Sequence, residues 1–153
     1  MTEKIKALLV QARPHTLDML RLGLEEQSLE ISTASSCAEA VMTLWSDCPP
    51  HIVFTDIQLA DGKWTDVLTL TSRASAPVNV IVVAPFADVK FYVQTIERGA
   101  FDFIVPPLSQ PELEHVVRIA AENVLSRRRN QSKGSTESLL VKLQPEPVES
   151  QMS

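Results

Sequence analysis

An α/β sandwich built on a parallel sheet is the fold class this sequence predicts, and three observations carry it. Five short apolar or β-branched runs alternate with five stretches of helical periodicity, and helical crossovers are how parallel strands are joined. Two of the runs, 52–55 and 78–84, are apolar almost throughout, the mark of strands buried on both faces. The chain has 153 residues, 44% of them hydrophobic, which suits one ordinary domain with an appendage rather than two domains.

The elements follow in order. Residues 5–10 form the first strand. Pro14 comes soon after, where a first helical turn tolerates its missing N–H, and Leu17, Leu20 and Leu24 recur behind it at helical spacing. Residues 29–33 are a second, weaker strand. Ser36 and Glu39 have the spacing of a capping box, with Ala38, Val41, Met42 and Trp45 as the expected inward face of the second helix. The central run then leads straight into Asp56, between Pro49-Pro50 and a turn at Asp61-Gly62. Asp56 thus falls at the carboxyl end of a buried strand, where open α/β sheets place their ligands and chemistry.

Trp64, Val67, Leu68 and Thr71 mark a third helix, and 78–84 is the fourth strand. Val89, Tyr92, Val93, Ile96 and Ala100 are the expected buried stripe of the fourth helix, with Gly99 at its C-terminal turn. Residues 101–105 form the fifth strand. Ser109 and Glu112 make a second capping box, opening a helix whose face is Leu113, Val116, Val117, Ala120, Val124 and Leu125. Right-handed crossovers are expected throughout. From about residue 129 the composition turns to Ser, Gln, Glu, Lys and Pro, too polar to offset its ordering entropy. The expected division is a domain over 1–128 and a flexible polar tail over 129–153, whose apolar island at 138–143 is either an inert remnant or a short docking segment.

Several functions are excluded by composition and motif. A formal charge of −5 lacks the surplus of Lys and Arg that nucleic acid or an anionic membrane surface demands. There is no apolar run of about 20 residues and no signal-peptide pattern, so a cytoplasmic protein is expected. Cys37 and Cys48 bracket a helix, about 16 Å apart along it, too far to pair. His15, His51 and His115 have no metal-ligand spacing. Gln11-Ala-Arg-Pro-His after the first strand has no glycine for a phosphate loop, and no nucleophile elbow or Walker sequence occurs. No enzyme is expected. Arg127-Arg-Arg129 reads as a complement to a helix dipole more readily than as a phosphate contact.

The strand ending in Asp56, the Asp61-Gly62 loop after it, and the stretch Gly99-Ala-Phe-Asp-Phe-Ile-Val-Pro-Pro-Leu-Ser109 resemble the receiver domain of bacterial two-component response regulators, over about residues 4–127. The resemblance implies a flavodoxin-like fold with strand order 2-1-3-4-5 and places Asp56 at the family's phosphoacceptor position. It also implies departures. The acidic pair that helps hold Mg²⁺ corresponds to Gln11 and Ala12, with Arg13 next; the hydroxyl position to Ala84; the lysine position to Pro106; the switch aromatic to Phe103, which also reads as a sheet-end packing residue. A carboxylate attacking a phosphoryl group must overcome repulsion between anions, and Asp56 alone is a poor Mg²⁺ site.

The sequence therefore points to an atypical receiver that signals as a phosphorylation-independent protein-interaction module, with no cofactor. Its alternative is a regulator phosphorylated on Asp56 by a histidine kinase, with Mg²⁺ as cofactor and Asp61 as the second acid of the loop. Arg13 has two placements: paired with Asp56 in lieu of the metal, or in solvent. The resemblance implies a partner surface on the fourth helix, fifth strand and fifth helix, here Lys90, Phe91, Gln94, Arg98, Asp102 and His115, with Phe91 as an exposed anchor. The expected partners are a histidine kinase or an output protein, and a homodimer through the same surface, with no nucleic acid and no membrane.

Overall fold

Along the chain run β1 (Ile5–Val10), α1 (Asp18–Glu25), β2 (Leu29–Ala34), α2 (Cys37–Leu44), β3 (Ile52–Asp56), β4 (Gln58–Leu59), β5 (Gly62–Lys63), α3 (Trp64–Ser72), β6 (Asn79–Val83), α4 (Val89–Glu97), β7 (Asp102–Ile104) and α5 (Gln110–Leu143). The computed structural model describes residues 4–12 and 17–143, with the backbone alone from 132 onward. Five strands form one parallel sheet in the order β2-β1-β3-β6-β7. Counted along the chain this is 2-1-3-4-5, the flavodoxin-like order. β4 and β5 pair separately as a small antiparallel hairpin, in the stretch where the sequence predicts a loop.

Alternation along the strands divides the core between two faces. Leu9, Ile52, Phe54 and Ile81 point to the side covered by α1 and α5, where Leu20, Leu24, Leu113, Val117 and Ala120 meet them. Leu8, Val10, Val53 and Val80 point the other way, toward Ala40 and Leu44 of α2 and Val67 of α3. The approach of α1 to α5 is so close that a Cβ at Gly23 would lie 2.7 Å from Leu113 Cδ2. The Gln110 side-chain amide donates to the Gly23 carbonyl at 2.9 Å across the same contact.

Helix ends follow the sequence closely. Ser109 and Glu112 form the full reciprocal box at the start of α5. At α2, Ser36 Oγ accepts from the Glu39 N–H, but the Glu39 carboxylate turns to the Ser35 hydroxyl, so the box is half made. α4 closes with a Schellman motif: Ala100 N–H donates to Thr95 O, Gly99 N–H to Ile96 O, and Gly99 takes φ 108°, which a side chain would strain.

Two helices are rotated from the expected faces. α2 buries Cys37, Ala40 and Leu44 and leaves Met42 77% exposed and Trp45 half-exposed, its indole N–H donating to Leu70 O. α4 buries Thr95 and half-buries Phe91, leaving Val89 79% exposed and Tyr92 and Val93 at the surface. Thr95 can be buried because its hydroxyl donates to Tyr92 O within the helix. Phe91 is drawn in by aromatic neighbours: Trp64 and Phe103 pack edge-on at 5.7 and 5.6 Å between ring centroids.

The amino ends of the strands are locked by polar contacts. The buried Asn79 amide donates to Ala120 O and Asn123 Oδ1 and its carbonyl accepts from Arg127 at 2.6 Å. Arg128 donates to the carbonyls of Pro77, Pro49 and Pro50, and His51 Nδ1, buried, accepts from the Lys6 N–H. Arg127 and Arg128 of the basic run thus fasten α5 to the sheet. Beyond it the backbone stays helical to Leu143, where a flexible tail was expected from 129. The stretch has no proline before Pro145 and follows on from an already formed helix, so extension avoids the cost of nucleation. Residues 144–153 lie outside the described part.

Candidate functional site

Register brings the site together. Asp56 pairs with Val83, and Val83 with Ile104, so the chain just beyond β1, β3, β6 and β7 converges at one end of the sheet. There the predicted positions Ala12, Asp56, Ala84 and Pro106 line a common cleft of about 580 Å³, together with Leu17, Ile57, Gln58, Val83 and Pro85. Gln11 is not among the lining residues. Arg13 lies outside the described residues, as does His15. The Pro106–Pro107 peptide bond is cis.

Asp56 is 7% exposed. Its Oδ2 accepts from the Ala12 N–H at 2.7 Å, the one hydrogen bond to its carboxylate among the described residues. Burial raises its pKa, with the Ala12 hydrogen bond opposing. Its ionised form is the less comfortable one here.

Oxygens that a divalent cation would need are engaged elsewhere. Gln11 Oε1 accepts from the Leu17 N–H at 3.0 Å, bracing the β1–α1 connection. The Ile57 carbonyl accepts from the Trp64 N–H at 3.0 Å. Asp61 is turned away to the N-terminus of α2, where its two oxygens accept from the N–H groups of Cys37 and Ala38 at 2.8 and 3.0 Å. Those bonds hold its carboxyl below the usual range, and its charge suits the positive end of a helix. Asp61 therefore serves as a cap, a role the Asp61-Gly62 turn pattern did not disclose, because the helix it caps lies 24 residues earlier in the chain. Burial and the neighbouring Asp61 push the Cys37 thiol up to about 11, which disfavours its thiolate. Cys37 and Cys48 are both free.

Mg²⁺ requires near-octahedral oxygen ligation and is usually held by one or two carboxylates plus water and phosphate oxygens. The described residues do not fit it: among them one carboxylate, one of whose oxygens is already bonded, lines the cleft with Ala12, Ala84 and Pro106. No group of three His, Cys, Asp or Glu side chains placed to hold a metal occurs among the described residues.

Comparisons with known proteins identify the family. A family model described as the response regulator receiver domain matches residues 7–118. The chain belongs to that receiver family. Among curated proteins, the response regulator protein PilR of Pseudomonas aeruginosa is 26% identical over 115 residues, 75% of this chain and 26% of that protein. The transcriptional regulatory protein KdpE of Mycobacterium tuberculosis is 32% identical over 114 residues, 74% of this chain and 49% of that one. The receiver chain thus spans between about a quarter and about half the length of these relatives. In structure, a CheY-like receiver domain protein from Methanospirillum hungatei matches with TM-score 0.68 and 19% identity, covering 81% of this chain and 98% of that one. As a response regulator receiver, the protein falls within two-component signal transduction. No helix among the described residues is long and apolar enough to cross a membrane.

The remaining predicted positions divide. Lys90, Gln94, Arg98 and His115 are exposed, His115 Nδ1 lying 3.0 Å from an Arg118 guanidinium nitrogen. Asp102 is half-buried, accepting from the N–H of Phe103. Phe91 is the correction: it is half-buried in the aromatic cluster and is not an exposed anchor, since its helix turns that side to the sheet. Val89 and Val93 take the exposed place. Phe103 is half-buried, edge-on to Phe91 and Tyr92.

Proposed function

We propose that this receiver works as a protein-interaction module without phosphorylation of Asp56. The observation that supports this reading is the environment of Asp56: a single carboxylate with one backbone hydrogen bond, in a cleft whose auxiliary positions are Ala12, Ala84 and Pro106. Nothing in that set of side chains offsets the charge of an approaching phosphoryl group, and Asp61, the acid on which the phosphoaccepting alternative relied, is committed to capping α2.

Contact with a partner is proposed through α4, β7 and the start of α5. Val89, Tyr92 and Val93 supply exposed apolar area there, and Lys90, Gln94, Arg98 and His115 supply a polar, basic rim, the composition of a contact patch. Two classes of partner follow from the family and from relatives that are regulators of transcription: a histidine kinase, or an output protein. A second copy of the chain is the third occupant of the same surface. Cytoplasmic placement goes with this role.

The test uses Trp64, buried and hydrogen-bonded to the residue after Asp56. Tryptophan emission and amide shifts are followed during titration with Mg²⁺, then with Mg²⁺ and beryllofluoride, a phosphoryl mimic. Silence at millimolar concentration is the expected result. A saturable response that disappears in Asp56→Asn would establish the phosphoaccepting regulator instead.

A further inference from the structure

The cleft over Asp56 sets one acid between largely aliphatic walls. Leu17, Ile57, Val83, Ala84, Pro85 and Pro106 supply those walls, and Asp56 is the sole ionisable group among the described residues lining it. Asp56 is buried, and one of its carboxylate oxygens has no hydrogen-bond donor among the described residues. At about 580 Å³ the cleft has the size of an ordinary small-molecule site, and its pattern, mostly apolar with two polar side chains, Asp56 and Gln58, is the usual one for such sites.

We propose that this cleft binds a small organic ammonium with an apolar body, Asp56 acting as its counter-ion. The inference rests on the reading that the site holds neither metal nor phosphoryl group, and it names the ligand class that the altered site takes instead. A buried charge is tolerated when it is paired and hydrogen-bonded, and an N⁺–H donor supplies both to the open oxygen of Asp56. Hydrated Mg²⁺ would set its water shell against Val83, Ala84 and Pro106. An alkyl or aryl ammonium presents hydrocarbon to those same walls and releases the water covering them. Occupancy would bridge β1, β3, β6 and the chain after β7, the four segments that converge at this end of the sheet, so the ligand would stiffen the receiver where the family's members take up their signal.

Benzylammonium, benzyl alcohol and benzoate separate the contributions of charge and shape. Each is titrated into the full chain and followed by the amide shifts of Ala12 and Ala84 and by Trp64 emission. Benzylammonium should saturate by about 10 mM, where a ligand of millimolar affinity is mostly bound. Benzyl alcohol should bind roughly tenfold more weakly, the value of one charge-assisted contact, and benzoate should not bind. Asp56→Asn, close in shape to the parent, should weaken benzylammonium by the same roughly tenfold factor. Ala84→Leu, which fills the cleft, should abolish binding while circular dichroism shows the fold retained. Silence of benzylammonium, equal binding by benzyl alcohol, or indifference to Asp56→Asn would overturn the proposal. Its failure is distinct from failure of the reading beneath it: the latter shows as a response to Mg²⁺ with beryllofluoride, which the ammonium series does not contain.

Discussion

At the amino ends of the strands, polar groups are bonded to one another: Asn79 to α5 and Arg127, Arg128 to three proline-region carbonyls, His51 to the backbone of β1. At the carboxyl ends, where receivers carry out their chemistry, one carboxylate stands among aliphatic side chains. The same sheet supports both, and the difference separates what the fold needs from what the reaction needs. Fastening the last helix demands satisfied polar groups, because a buried amide without partners costs more than the bond contributes. The reaction's side chains hold up nothing, so the upper end can be rebuilt in alanine and proline while the strands stay in register.

The contrast can be broken most sharply at Asn79. Asn79→Ala removes three hydrogen bonds from a buried position, and denaturant unfolding should show a loss of about 3 kcal/mol; a loss near zero would mean the lower network is ornament. Phe91→Ser comes next. Taking the half-buried ring from between Trp64 and Phe103 should cost about 2 kcal/mol and redden the Trp64 emission, whereas an unchanged midpoint would return Phe91 to the exposed anchor role. Arg128→Ala should cost about 1.5 kcal/mol, read as faster hydrogen exchange at the foot of α5.

Asp56→Asn is the smallest effect and has the opposite sign. Burial raises the Asp56 pKa, so the ionised group burdens the folded state more than the unfolded one. Stability is then fully present below the ordinary carboxylate range and is lost as pH rises through the raised folded value. At neutral pH the Asn variant should melt above the parent, and the two should converge on the acid side. A variant that melts lower at neutral pH would show that the carboxylate has a stabilising partner after all.

Much of the fold was legible because its signals are local. Apolar runs located the five sheet strands, and Ser36, Gly99 and Ser109 marked helix ends correctly. The faces of α2 and α4 were not legible, since both helices are short and carry two apolar stripes, and choosing between them depended on distant groups: Asp61 bonding the first N–H groups of α2, and Trp64 and Phe103 drawing Phe91 inward. At the site, the identities of Ala12, Ala84 and Pro106 could be read from position alone. That the Ala12 N–H reaches Asp56, and that the Gln11 amide oxygen faces Leu17 instead, could not, because each depends on how the chain turns after β1.

The grip of Arg127 and Arg128 has a mechanical side. It holds α5 at the foot of the sheet, and from there the helix runs on to Leu143, roughly 20 Å at 1.5 Å per residue. Were the helix to pivot at the amino ends of the strands, that length would be its lever arm. A tilt of about 10° at the pivot would carry its far end through roughly 4 Å for an arm of that length, so displacements too small to alter the core would be magnified at a distance from it.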